Sequence, residues 1–117
     1  MNKEYWIGFD LDGCLATYDH WRGPEHIGEP IKRSVERARA LLAAGQNLKI
    51  FTARVCSKQP KDSREVSERV IKEWCLKHLG QELDVTSEKD WCMIEYYDDR
   101  AITVEYNTGK ILLQDIV

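Results

Sequence analysis

The sequence predicts a three-layer α/β domain built on a mainly parallel sheet. Short apolar runs of strand character alternate with segments of helical periodicity. Three of those runs stop abruptly in polar residues capable of chemistry. The composition, 43% hydrophobic and 32% charged, is that of a globular chain. A length of 117 residues is one domain's worth, so residues 1–117 are read as a single domain.

Residues 5–9, with Trp6, Ile7 and Phe9, form an apolar run that ends at Asp10, Leu11, Asp12 and Gly13. Such a run reads as a buried strand entering a loop. Residues 13–29 hold three glycines, Pro24, His20, His26 and Trp21 and read as an irregular loop. Connections this long tend to carry function. Pro30 suits the first turn of a helix in which Ile31, Val35, Ala38, Leu41 and Leu42 recur at helical spacing, and Gly45 closes it.

Residues 48–52 are a second strand. Asp62 and Glu65 have the spacing of a capping box. It would open a helix whose apolar stripe is Val66, Val70, Ile71, Trp74, Cys75 and Leu79, closed by Gly80. Residues 92–97 are the next strand and run into Asp98 and Asp99. A C-terminal hairpin follows, its arms at 101–105 and 111–113 around Asn107, Thr108 and Gly109.

Seventeen Lys and Arg against 20 Asp and Glu leave a net charge of −3. That balance offers no electrostatic basis for binding bulk nucleic acid or an anionic membrane. The first residues lack the ~7–15-residue apolar stretch of a signal peptide, and no run approaches the ~20 apolar residues of a membrane span. Cys14, Cys56, Cys75 and Cys92 form no CxxC pair and no zinc spacing. A cytoplasmic protein with reduced thiols is expected.

Ligands of an open parallel sheet bind at the carboxyl ends of its strands. Parallel strands would therefore bring together Asp10 with Asp12, Thr52 with Ala53 and Arg54, and Asp98 with Asp99. Carboxylates that face one another repel unless a cation lies between them. Hard oxygens with open water positions suit Mg²⁺, and Mg²⁺ held by a few carboxylates is a usual partner of phosphate.

These residues carry a resemblance. Residues 6–15, an apolar strand followed by Asp10, Asp12, Gly13 and Leu15, resemble the first motif of the haloacid dehalogenase (HAD) superfamily. Residues 49–54, ending in Thr52, resemble its second motif, and residues 94–99, ending in Asp98 and Asp99, its fourth. The motifs occur in family order and span nearly the whole chain.

The resemblance implies a Rossmann-like HAD fold and hydrolysis of a phosphate monoester. Asp10 would be the nucleophile that becomes an aspartyl-phosphate, and Asp12 the general acid and then base. Thr52 would donate to a phosphoryl oxygen, with Gly13, Ala53 and Arg54 against the substrate. Mg²⁺ would be held by Asp10, the Asp12 backbone carbonyl, Asp98 and Asp99. The family's charge-neutralising lysine falls on Lys89, with Lys61 as the alternative. Cys14, which replaces the family's usual Thr or Val, is not read as a nucleophile. Asp12 favours phosphatase over dehalogenase, because a halide leaves without an acid.

Neither usual insertion point has room for a cap domain, so the expected site is open. It suits a substrate with its own bulk, a phosphorylated small molecule, a nucleotide or a polynucleotide end, or a homo-oligomer whose partner copy supplies the lid. Two rival readings exist. A signalling receiver domain would carry its phospho-accepting Asp at mid-chain, where this chain has Phe51 and Thr52. A HAD-fold binding or regulatory module would keep the fold without turnover.

Overall fold

The computed structural model describes residues 4–112. Strand β1 (Trp6–Phe9) is followed by helix α1 (Lys32–Ala43), strand β2 (Leu48–Phe51), helix α2 (Lys61–Leu79), strand β3 (Asp84–Thr86), strand β4 (Met93–Tyr97) and the hairpin strands β5 (Thr103–Val104) and β6 (Ile111–Leu112). The first four strands make one sheet in the order β3-β2-β1-β4. All its pairings are parallel. β1, buried along its whole length, is central, as its uninterrupted apolar run requires. No helix among the described residues is long and apolar enough to cross a membrane.

The expected third layer is not found among the described residues. Ala38, Leu41 and Leu42 of α1 and Ile71, Trp74, Cys75 and Leu79 of α2 all pack with Ile7, Phe9, Leu48 and Ile50. Both helices therefore lie on one face of the sheet. The reason is topological. β1 to β2 and β2 to β3 step in the same direction, and right-handed crossovers then put both helices on the same side. The return from β3 to β4 contains no helix. On the other face Trp6 is covered by the Lys49 ammonium, 4.8 Å from its ring, and donates its indole N–H to Asp90 at 2.9 Å. Gly8 leaves room there for Met93, whose methyl would sit 2.6 Å from an added Cβ.

Local signals hold at the helix ends and fail at the starts. Gly45 and Gly80 have positive φ, 85° and 87°, as residues that terminate helices. α1, however, begins at Lys32, and Pro30 lies before it in a bridge to Ala16. α2 begins at Lys61, so Asp62 is already inside the first turn and the capping box does not form. Asp62 instead places a negative charge near the helix N-terminus, a favourable position. β3 was not expected: three residues with one apolar side chain, Val85, give no run to read. The hairpin is present as a separate antiparallel pair, with Asn107 and Gly109 at φ 62° and 80° in its turn. Leu113 lies outside the described residues.

The long loop is a strap and a flap. Leu11, Leu15 and Ala16 are fully buried, and the Leu11 carbonyl accepts the N–H groups of Leu15 and Ala16 at 3.0 and 2.9 Å. The chain leaves and re-enters through a neck, in which Thr17 N–H donates to the Glu29 carbonyl at 2.8 Å and Ile31 N–H to the Leu15 carbonyl at 2.7 Å. Gly28 lies against the Thr17 carbonyl so closely that no side chain fits between them. The Trp74 indole N–H ties the flap to α2 through the Gly28 carbonyl at 3.2 Å.

Ile50 is fully buried at the centre of this core. Ile50→Ala should cost about 2–5 kcal/mol of unfolding free energy. A denaturant titration would show this as a lower midpoint at unchanged slope, and a loss below about 1 kcal/mol would contradict the packing described.

Candidate functional site

Sheet register builds the site. Phe9 pairs with Tyr97 in β4 and with Ile50 in β2. The next residue of each chain then emerges at the same edge, and Asp10 N–H donates to the Tyr97 carbonyl at 2.9 Å. Asp10 is thus set beside Asp98 and Asp99. Thr52 reaches the same edge through its N–H to the Thr86 carbonyl at 2.9 Å, the first bond beyond the β2–β3 ladder. A cleft of about 750 Å³ opens there, lined by Asp10, Asp12, Gly13, Thr52, Ala53, Arg54, Asp98 and Asp99. Every residue read from the three strand-end motifs lines it.

Carboxylate oxygens of Asp10, Asp98 and Asp99 lie within 4.8 Å of one another. Gly13 makes the crowding sterically feasible. Its φ is +86°, and a Cβ there would meet the Asp99 carboxylate at 2.9 Å. The electrostatics follow. Burial, a hydrogen bond with Asp99 and the charges of Asp98 and Asp99 raise the Asp10 carboxyl to about 7. Burial opposes ionisation of Asp98 too. Hydrogen bonds from Tyr96 and the Arg100 N–H, together with that of Asp99, outweigh it and hold Asp98 below its ordinary value. Three hard oxygen donors this close are a set that could hold a metal ion.

Asp12 belongs to the cleft but not to that cluster. Both its oxygens are taken by the Arg54 guanidinium, whose Nε–H donates to Oδ2 at 2.8 Å and whose Nη2–H donates to Oδ1 at 2.7 Å. Arg54 is 6% exposed, so this is a buried fork rather than a surface pair. Its third arm donates to the His26 carbonyl of the flap at 2.9 Å, and the Trp21 ring centroid lies 5.0 Å from Cζ. Thr52 caps the short 3₁₀ turn Ala53–Val55 by accepting the Arg54 N–H at 3.2 Å. That uses one acceptor position and leaves the hydroxyl proton available.

The two lysines are placed elsewhere. Lys89 is exposed on the return to β4 and does not line the cleft. Its neighbour Asp90 binds Trp6 at the opposite end of β1. Lys61 lies on a separate depression beside β3 and approaches Glu65 at 3.7 Å. The cleft's cations are Arg54 and Arg100. Arg100 was not singled out from the sequence, although its place directly after the acidic pair was the available signal. Tyr18, Gln59 and Tyr96 also line the cleft unanticipated. His20 and Arg22 contact Asp19 outside it. Cys14, whose thiol is raised to about 11 by burial and then by the three carboxylates, is a poor nucleophile.

No protein-family model and no curated protein matches the chain. Among solved structures it is similar to a conserved protein from Bacteroides thetaiotaomicron, with 21% identity and a TM-score of 0.54 over 82% of this chain and 76% of that one. A likeness at that identity concerns the α/β fold alone.

The raised Asp10 carboxyl makes stability depend on pH. Between 3.8 and about 7 the folded protein retains a proton that the unfolded chain has released, so stability falls as pH rises through that window and levels off above it. Asp10→Asn removes this contribution. In metal-free buffer, the stability of Asp10→Asn relative to the natural protein should therefore grow from pH 4 to pH 7 and then plateau. Thermal melts of both proteins across pH 4–8 measure it, and a difference independent of pH would refute the crowding.

Proposed function

We propose that the chain is a HAD-type, Mg²⁺-dependent phosphate monoester hydrolase acting through an aspartyl-phosphate on Asp10. The observation that carries the reading is the placement of Asp10 among Asp98 and Asp99, within 4.8 Å, in a cleft that Asp12 shares. A nucleophile with carboxylate neighbours and a second carboxylate that stands apart is the division of labour the reaction needs.

Mg²⁺ held by Asp10, Asp98 and Asp99 would neutralise them and draw charge from the phosphoryl oxygens. The Asp10 carboxylate attacks phosphorus in line with the ester bond, which breaks as the leaving oxygen takes a proton from Asp12. Water then attacks the aspartyl-phosphate, giving its proton to Asp12 and releasing phosphate and free Asp10. The Thr52 hydroxyl donates to a phosphoryl oxygen. Neither Lys89 nor Lys61 lines the cleft, so this reading gives Arg54 the charge-neutralising role. A phosphoryl group entering beside it shares the guanidinium with Asp12, and a loosened fork allows Asp12 to carry its proton.

One observation favours the second reading, a module that binds without turnover. In the described structure both oxygens of Asp12 accept from Arg54, so the side chain is already engaged before any leaving oxygen arrives.

Phosphate release from an aryl phosphate separates the two. Hydrolysis should require Mg²⁺ and fall by at least about 10³-fold in Asp10→Asn. Asp12→Asn should cost more with an alkyl than with a nitrophenyl phosphate, since a good leaving group needs no acid, whereas Arg54→Ala, which removes the guanidinium from the phosphoryl group, should slow both. Unchanged activity in Asp10→Asn would end the nucleophile assignment. Binding of phosphate esters with no turnover across a panel would establish the module.

A further inference from the structure

The cleft holds more than phosphate chemistry uses. Tyr18 and Trp21 of the flap line it, 47% and 48% exposed. Two half-exposed aromatic rings that line one cleft offer faces on which a planar group can stack. Trp21 lies against Arg54, its ring centroid 5.0 Å from Cζ, and Arg54 in turn donates to Asp12 and to the His26 carbonyl. The ring is therefore a preset platform, which lowers the ordering cost of a ligand that stacks on it.

The same contacts say which part of a substrate meets the platform. In the proposed reaction Asp12 serves the leaving oxygen. Whatever part of a monoester lies beyond its phosphoryl group is the leaving alcohol, so Trp21, which lines the same cleft and lies against the guanidinium that holds Asp12, would meet that alcohol. An alcohol that reaches it needs a spacer between the ester oxygen and a planar ring. A nucleoside has that shape, with the sugar as spacer and the base as ring. A cleft of about 750 Å³ is far larger than a phosphate group needs and falls in the range of small-molecule sites.

We propose that the leaving group is a nucleoside whose base stacks on Trp21 beside Tyr18, so that the substrates are nucleoside monophosphates or phosphorylated oligonucleotide ends. This rests on the phosphatase reading.

The test compares kcat/KM for adenosine 5′-monophosphate, a 5′-phosphorylated oligonucleotide and ribose 5-phosphate, with Mg²⁺. Adenosine 5′-monophosphate, the oligonucleotide or both should exceed ribose 5-phosphate by about tenfold or more, the range expected of one base stacked on an aromatic side chain. Whichever of the two is faster identifies the source of the nucleoside. Trp21→Ala should shrink the preference over ribose 5-phosphate by about tenfold, and Trp21→Phe should largely keep it. Equal use of all three esters, or an unchanged preference in Trp21→Ala, overturns the platform while hydrolysis stands. Calorimetric titration of Asp10→Asn protein with adenosine 5′-monophosphate reads the platform without turnover. Binding there that Trp21→Ala abolishes supports the platform even if no ester is hydrolysed, a result that would instead remove the phosphatase reading. Binding that is insensitive to Trp21→Ala counts against the platform.

Discussion

Like-charge repulsion among the carboxylates at the strand ends is the constraint around which the described structure is arranged. Two carboxylates about 4 Å apart repel by roughly 4 kcal/mol at an effective dielectric of about 20, and three such groups meet within 4.8 Å. A structure tolerates this only if a proton or a cation intervenes. The raised Asp10 carboxyl is the protonic answer. The depressed Asp98 shows that hydrogen bonding can hold one neighbour charged while another yields. The fold spends its most buried strand and a positive-φ glycine, Gly13, on maintaining the crowding.

Arg54 divides the cleft's aspartates into two sets. By taking both oxygens of Asp12 it keeps that carboxylate out of the cluster, so a chain with four cleft aspartates presents a trio and a single. The same guanidinium reaches the flap through the His26 carbonyl and the Trp21 ring. Flap position and Asp12 position are thereby linked in one buried fork. The flap lines the cleft through Tyr18 and Trp21, so an occupant of the cleft meets an element tied to Asp12 through Arg54.

Much of this was legible in the sequence because it depends on local signals. Apolar runs that end in aspartate or threonine mark strand ends, and Gly45 and Gly80 mark helix ends, irrespective of what packs around them. The features that escaped are set by tertiary context. The side on which α2 packs follows from crossover handedness and strand order, so the helices share a face and the expected third layer is absent from the described residues. β3 exists because β2 offers it an edge, not because Asp84–Thr86 has strand character. Lys89 precedes the strand that leads to Asp98, but a parallel strand is entered from its far end, which sends the approach to β4 away from the cleft. The Arg54–Asp12 fork joins residues 42 apart and has no sequence signature.

On the proposed reading, an Asp10 carboxylate oxygen bonds to phosphorus during turnover. Rapid acid quench of the protein during turnover of a ³²P-labelled aryl phosphate with Mg²⁺, followed by peptide mapping, tests it most directly. A transient, hydroxylamine-labile label on the peptide containing Asp10 is the expected result. Turnover with no protein-bound label, or label at Asp12, Asp98 or Asp99, would contradict it.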